Sequence, residues 1–260
     1  MTPRRLRSLL PSLAVAAMLA AGTAPGQLLA QASRDAGAGS AAAPAAAFDT
    51  ALLARADSGR ILGSAQARVW VVVLSDFQCP YCKAWHDATD ARLRADYVNT
   101  GKVRVAFLNF PLSMHANAAP AAEVAMCAAS QRKFWGVHDA LFASQDKWAK
   151  LPNPGQFFDS VAGQQGVDRM ALRACVTGRK ARPLVDADVN RGMRAGVNST
   201  PSFFIGDTAF AGNVPTADFT RVLDTMVARA AAKAAAATSG KAPAKAPAKA
   251  PAGARSPRGS

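Results

Sequence analysis

Two cysteines set three apart, in Cys79-Pro80-Tyr81-Cys82, are the residues of this chain best suited to chemistry. If the motif opens a helix, the unpaired N–H groups of the first turn and the positive end of the dipole favour a thiolate on Cys79, while Cys82, one turn in, is shielded. A thiolate is what attacks a disulfide, and a stabilised thiolate is also a good leaving group. The spacing therefore points to thiol–disulfide exchange. A competing reading is a zinc or copper module built from Cys79, Cys82 and His86, which leaves the fourth ligand unidentified. Haem attachment would need His directly after the second cysteine, where Lys83 stands. No metal and no cofactor are expected.

Other residues take supporting parts. Pro80 is compatible with the first helical turn, and Lys83 adds positive charge one turn on. Tyr81 supplies no cation between the cysteines. Asp76, three residues before Cys79, suits either proton transfer with the buried thiol or a turn and cap role. Thr200-Pro201 precedes a strand; a cis bond there would press the backbone toward the thiol pair, whereas an ordinary trans turn is the commoner use of such a dipeptide. Cys127 and Cys175 lie on apolar helical faces and lack the paired spacing of a zinc ribbon. As a disulfide they would close a loop worth roughly 4 kcal/mol by chain entropy; as reduced thiols they would be buried packing groups. His86, His115 and His138 read as packing or surface groups, and Trp85, Trp135 and Trp148 as core or groove aromatics.

The elements that must position these residues follow from hydrophobic patterning. Residues 69–74, Val-Trp-Val-Val-Val-Leu, form a continuous run expected of a central strand covered on both faces. A helix is predicted from Pro80, with Cys82, Trp85, Thr89, Leu93 and Tyr97 at helical spacing, ending at Asn99-Thr100-Gly101. Residues 103–110 form a second strand, stopped by Pro111. Residues 115–196 read as mostly helical, with a cap at Asp168. Ser202-Phe203-Phe204-Ile205, a Gly206-Asp207 turn and a short strand through Phe210 make a hairpin, and a last helix buries Phe219, Val222, Leu223, Met226 and Val227. The class is α/β, with both active cysteines at a strand-to-helix junction.

The chain has 260 residues and is half apolar, so it can build a core. Its net charge of +14 is concentrated at the ends. Residues 1–32 hold three Arg and no acid, and residues 229–260 hold seven Lys or Arg and no acid, against 21 basic and 17 acidic side chains between them. A mildly basic body does not call for nucleic acid. Arg4, Arg5 and Arg7, a short apolar stretch over 9–21 and Ala30-Gln31-Ala32 read as a secretory signal over 1–32. An exported, periplasmic or similar location follows, where thiols are not kept reduced. Residues 33–47 read as a flexible Ala/Gly/Ser/Pro linker and 48–228 as the folded domain. In 229–260 the Lys-Ala-Pro-Ala repeat reads as a disordered, extended tail, suited to an anionic surface or simply solvated.

Three stretches together resemble the DsbA-like thioredoxin family: Ser75-Asp76-Phe77-Gln78-Cys79-Pro80-Tyr81-Cys82; the segment 127–142 with Gln131, Phe134, Trp135, His138, Asp139 and Phe142; and Thr200-Pro201-Ser202-Phe203-Phe204-Ile205-Gly206. The resemblance covers about residues 48–228. It implies a thioredoxin fold with a helical insertion, about 112–197, between the β-α-β and β-β-α halves. It also implies Cys79 as nucleophile, Cys82 as resolving cysteine, and a cis Thr200-Pro201 bond that helps bind extended substrate. The founding oxidase has His where this chain has Tyr81. Cys-Pro-Tyr-Cys with Thr before the proline is also similar to DsbG proteins, which work as reductases or isomerases, although 33–60 is too short for their dimerisation domain. The expected partners are exported proteins with cysteine pairs and a redox protein that resets Cys79 and Cys82; a monomer is expected.

Overall fold

In the computed structural model, which describes residues 49–239, the chain enters through helix α1 (Thr50–Gly59), capped by the Asp49 side chain accepting from the Leu52 N–H at 2.9 Å. The expected signal over 1–32, the linker over 33–47 and the tail beyond 239 lie outside the described residues. Strand β1 (Ile61–Leu62) follows, then β2 (Val69–Ser75). Pro80 at the first helical position starts α2 (Pro80–Trp85), with Cys79 as its N-cap. The predicted helix then continues through a π turn (His86–Asp90), α3 (Ala91–Leu93) and a second π turn (Arg94–Val98). Strand β3 (Val103–Asn109) completes the β-α-β unit.

Six helices form the insertion: α4 (Ala118–Ala129), α5 (Phe134–Ala143), α6 (Gln145–Trp148), α7 (Gly155–Gln164), α8 (Arg169–Thr177) and α9 (Arg182–Arg194). The chain then returns to the sheet as β4 (Ser202–Ile205) and β5 (Thr208–Ala211) and closes with α10 (Thr216–Ser239). The sheet order is β1-β3-β2-β4-β5, with β2 and β3 parallel and the other pairs antiparallel. This is the expected thioredoxin fold with its helical insertion. Because Leu74 pairs with Ser202, Pro201 lies beside the end of β2 from which the Asp76–Cys79 loop departs.

Two apolar clusters hold these layers. One lies between the sheet and the helices after β2 and β5, and includes Val71, Val73, Leu93, Phe203, Phe219 and Leu223. The other fills the insertion around α4, nearly all of which is buried, and takes in both Cys79 and Cys82. Helix α9 crosses close to the opposite face of the sheet: a Cβ on Gly192 would sit 2.6–2.7 Å from Phe110 and Leu74, so only glycine allows the approach. Cys127 on α4 and Cys175 on α8 are bonded to each other.

Two features differ from the sequence reading. Strand β2 is not covered on both faces along its length: Trp70 is exposed and Val72 only partly buried, with the Arg104 guanidinium lying 4.1 Å over the Trp70 ring. A continuous apolar run does not distinguish a fully enclosed strand from one screened by an arginine at its edge. Helix α10 runs past the expected boundary at 228 to Ser239. Alanine is the best helix former, and the first proline of the tail is Pro243, so nothing breaks the helix earlier.

The bridge joins α4 to α8 across 48 residues. Replacing both Cys127 and Cys175 by Ala, which leaves no stray thiol, is expected to lower stability to urea by up to about 4 kcal/mol. Thiol exchange at Cys79 should persist at the same rate; an unchanged urea midpoint would count against a structural role for the bridge.

Candidate active site

The loop after β2 turns on Asp76. Its carboxylate accepts from the Gln78 N–H at 2.7 Å and the Leu112 N–H at 2.9 Å, and meets His115 Nδ1 at 2.7 Å. With these partners the carboxylate is a loop anchor; it is the Asp76 backbone N–H that donates to Cys82 Sγ, at 3.4 Å. A backbone bond from Cys79 N–H to the Asp76 carbonyl (3.1 Å) closes the turn and delivers Cys79 to the start of α2.

The two sulfurs are then treated in opposite ways. Cys79 is lowered from the ordinary thiol value to about 6. The hydrogen bond from the Cys82 thiol is the largest cause; burial opposes it, and Thr200 with the N–H groups of Cys82 and Tyr81 adds to it. The sequence reading placed the helix terminus first, yet the backbone N–H groups prove the smaller contribution. Lys83 does not reinforce them, because its ammonium pairs with Asp87 at 2.8 Å. Cys82, almost wholly enclosed, is pushed well above the ordinary value by burial and then by the neighbouring Cys79 charge.

The Thr200–Pro201 peptide is cis. The Cys79 thiol donates to the Thr200 carbonyl at 3.5 Å, and the Thr200 hydroxyl is buried without a hydrogen-bond partner among the described residues. The structure thus brings Asp76, Cys79, Pro80, Cys82, Thr200 and Pro201 to one place. Tyr81 projects from it, 64% exposed.

Residues that patterning did not single out hold this loop to the insertion. Gln145 on α6, buried, donates to the carbonyls of Phe77 (2.7 Å) and Cys79 (3.1 Å). Gln78 donates to the Ala149 carbonyl at 2.7 Å and accepts from the Asn117 N–H at 2.6 Å. Asn117 in turn donates to the carbonyls of Trp148, Ala149 and Leu151. Nothing in one sequence marks a glutamine whose partners are carbonyls more than 60 residues away.

Behind Cys82 stands a second polar group. The His86 nitrogens lie 3.1 Å from Asp87 and 3.4 Å from Asp139, and Asp139 also meets His138 at 2.7 Å and the guanidinium of Arg94 at 2.7 and 2.8 Å. Burial works against the Asp139 charge, but His138, His86 and Arg94 hold it well below the usual carboxylate range. His86, His138 and Asp139 bring three donor atoms within 4.8 Å of one another. The Arg94 fork occupies Asp139 and opposes a cation there, and His86 turns its nitrogens to carboxylates rather than to the cysteines. The Cys79/Cys82/His86 metal module has no such geometry here.

A family model described as Thioredoxin matches residues 55–225. The chain belongs to the thioredoxin family. Among the relatives of this thioredoxin-family protein, the probable disulfide bond formation protein D of Bacillus anthracis is 27% identical over 161 residues, covering 61% of this chain and 72% of that one. Na(+)/H(+) antiporter NhaA 3 of Salinispora tropica is 33% identical over 150 residues, which are 57% of this chain but 22% of the antiporter, so that likeness concerns one part of it. Among solved structures, alpha-DsbA1 of Wolbachia pipientis has a TM-score of 0.61 at 22% identity, covering 67% of this chain and 94% of its own. Oxidised BdbD from Bacillus subtilis has a TM-score of 0.59 at 20% identity, covering 65% and 94%. At such identities the likeness is one of fold.

Two expected outcomes follow. Below about pH 6 reduction of the Cys79–Cys82 disulfide takes up two protons, and above it one, because Cys79 stays a thiolate. The reduction potential should therefore fall by about 60 mV per pH unit below that point and about 30 mV above it. The same shift stabilises the reduced fold above the ordinary thiol value of 9.0, an advantage lost as pH falls through about 6. Redox equilibration with glutathione across pH 4.5–8.5 reads the break; a single slope would contradict the lowered value. Gln145→Leu leaves two buried carbonyls without their donor and should cost about 1–3 kcal/mol in urea unfolding, with faster hydrogen exchange at residues 77–82.

Proposed function

We propose that this protein is an exported oxidase that passes its Cys79–Cys82 disulfide to cysteine pairs in other exported proteins. The observation that carries the reading is the asymmetry of the pair: Cys79 lowered to about 6, Cys82 raised by burial. A substrate thiolate attacks Cys79 Sγ, the Cys79–Cys82 bond breaks, and its electron pair leaves on Cys82. A second substrate thiolate then attacks the substrate sulfur of the mixed disulfide, and Cys79 leaves as a thiolate. The low Cys79 value makes that departure easy and favours the reduced protein, so the disulfide form is oxidising.

Export is supported by the basic n-region, short apolar stretch and small-residue site of 1–32, and a periplasmic or equivalent compartment suits a Cys127–Cys175 bridge. Thr200 and Pro201 beside Cys79 suit backbone pairing with an extended substrate segment, and a monomer suffices for the chemistry. The Lys-Ala-Pro-Ala repeat suits contact with an anionic surface or simple solvation. A separate redox protein must take the electrons from the reduced pair. One observation favours a second reading, reductase or isomerase by the same residues: Tyr81 supplies no cation to deepen the Cys79 shift.

Cys82→Ser is expected to accumulate mixed disulfides with protein thiols on non-reducing gels, while Cys79→Ser should form none; equal trapping would defeat the division of roles. The reduction potential decides direction. A value above that of the compartment supports the oxidase, and one below it supports the reductase.

A further inference from the structure

An apolar sheet face is stable when another layer covers it, and only one face of this sheet is fully covered. Val71, Val73, Val105, Phe203 and Ile205 belong to the cluster under the helices after β2 and β5. On the opposite face the strand register sets the side chains in rows. Leu108 and Leu74 make the row nearest the thiol pair, and α9 lies over it with Gly192 against Leu74. Ala106, Val72, Phe204 and Ala209 make the next row, each half-buried or exposed. Arg104 and Trp70 make the last, where Trp70 is 38% exposed. Beside α9 this face is hollowed into two open grooves of about 160 and 200 Å³, which meet at Ala195 and Phe204.

The charge around these grooves has one sign. No Asp or Glu lines either of them. Arg191 lines the first, and its one carboxylate partner among the described residues, Asp188, is buried and already holds Arg60 and Asn109. Arg104 has no carboxylate partner among the described residues. Its guanidinium lies 4.1 Å over the Trp70 ring, and its Nε–H is buried without an acceptor. A guanidinium stacked on an aromatic ring keeps its planar fork for a carboxylate, and a buried donor left without an acceptor costs stability that such a ligand restores. Trp and Arg are also the residues that most often anchor a protein interface.

We propose that this face docks an acidic, apolar segment of a partner protein. Apolar side chains of the segment fill the grooves along α9 and pack on Trp70, and its carboxylates pair with Arg104 and Arg191. Charge and shape select this occupant. A second copy of the chain would set Arg104 and Arg191 against the same arginines, with no carboxylate in the grooves to separate them. A bilayer would rest on α9 and leave the grooves at its foot unfilled. The docking needs no thiol, so it stands whether or not Cys79 and Cys82 exchange.

The full-length protein, its backbone amides followed by NMR, is titrated with a short acetylated peptide of alternating Leu and Glu, with its Lys-for-Glu counterpart and with its Ser-for-Leu counterpart. The Leu/Glu peptide is expected to shift residues 70–74, 104–108 and 204–209 and to bind at least about tenfold more tightly than either counterpart. Arg104→Glu should weaken it by about tenfold or more and turn the preference toward the Lys peptide. Ala209→Glu, at an exposed position across the sheet, should weaken it with Arg104 left in place. Amide spectra unchanged away from the face show that both variants fold. Equal affinity for the Glu and Lys peptides, or shifts confined to other residues, overturns the proposal. So do shifts at this face that grow with protein concentration without peptide, the mark of a second copy. Phosphatidylglycerol vesicles that perturb these residues when the Leu/Glu peptide does not bind overturn it in favour of a membrane.

Discussion

The Cys82 thiol, the nearby Thr200 side chain and the N–H groups of Tyr81 and Cys82 all favour a negative Cys79 Sγ and offset the cost of burying it. Each donor comes from a different constraint on the chain. The Cys82 thiol can donate only because burial keeps it protonated; the N–H groups face the sulfur because Pro80 opens a helix there; Thr200 arrives because β4 pairs with β2 in the register that sets Ser202 against Leu74. A shift of that register by one residue would reverse the faces of Phe203 and Ile205 and remove Thr200 from the thiol.

The insertion supports the same sulfur from the other side. Its helices bury Cys79 and Cys82 in the cluster built on α4, and Gln145 and Asn117 tie the Asp76–Cys79 loop to α6 and the turn after it. The Cys127–Cys175 bond fixes α4 to α8, one layer further out. The precision of the thiol pair thus depends on a body of helices that contributes none of the sulfur chemistry itself.

The parts legible in the sequence are those with a short-range signature. The β-α-β unit was readable from the 69–74 run, the proline-started helix and the 103–110 strand, and the cysteine pair from its spacing. Asp76 was singled out, but which of its atoms meets the sulfur depends on Leu112 and His115, more than thirty residues on. Helix α1 escaped notice because its only marker is the cap at Asp49, and its packing on α4 is long-range: a Cβ on Gly59 would lie 2.3 Å from the Ala129 carbonyl oxygen. His86 and His138 read as packing groups, since nothing in their spacing shows that Asp139 and Arg94 close around them.

The outer strands of the sheet bear on how the fold resists unwanted pairing with other chains. Any polypeptide in extended form can add itself to an open sheet edge, and prolonged encounter with unfolded chains invites aggregation by that route. Here one edge is β1, two residues long, and the other is β5, four residues with alternate side chains exposed. So few free N–H and C=O groups give a visiting strand little to zip against, and visits should end in release rather than in fibre growth.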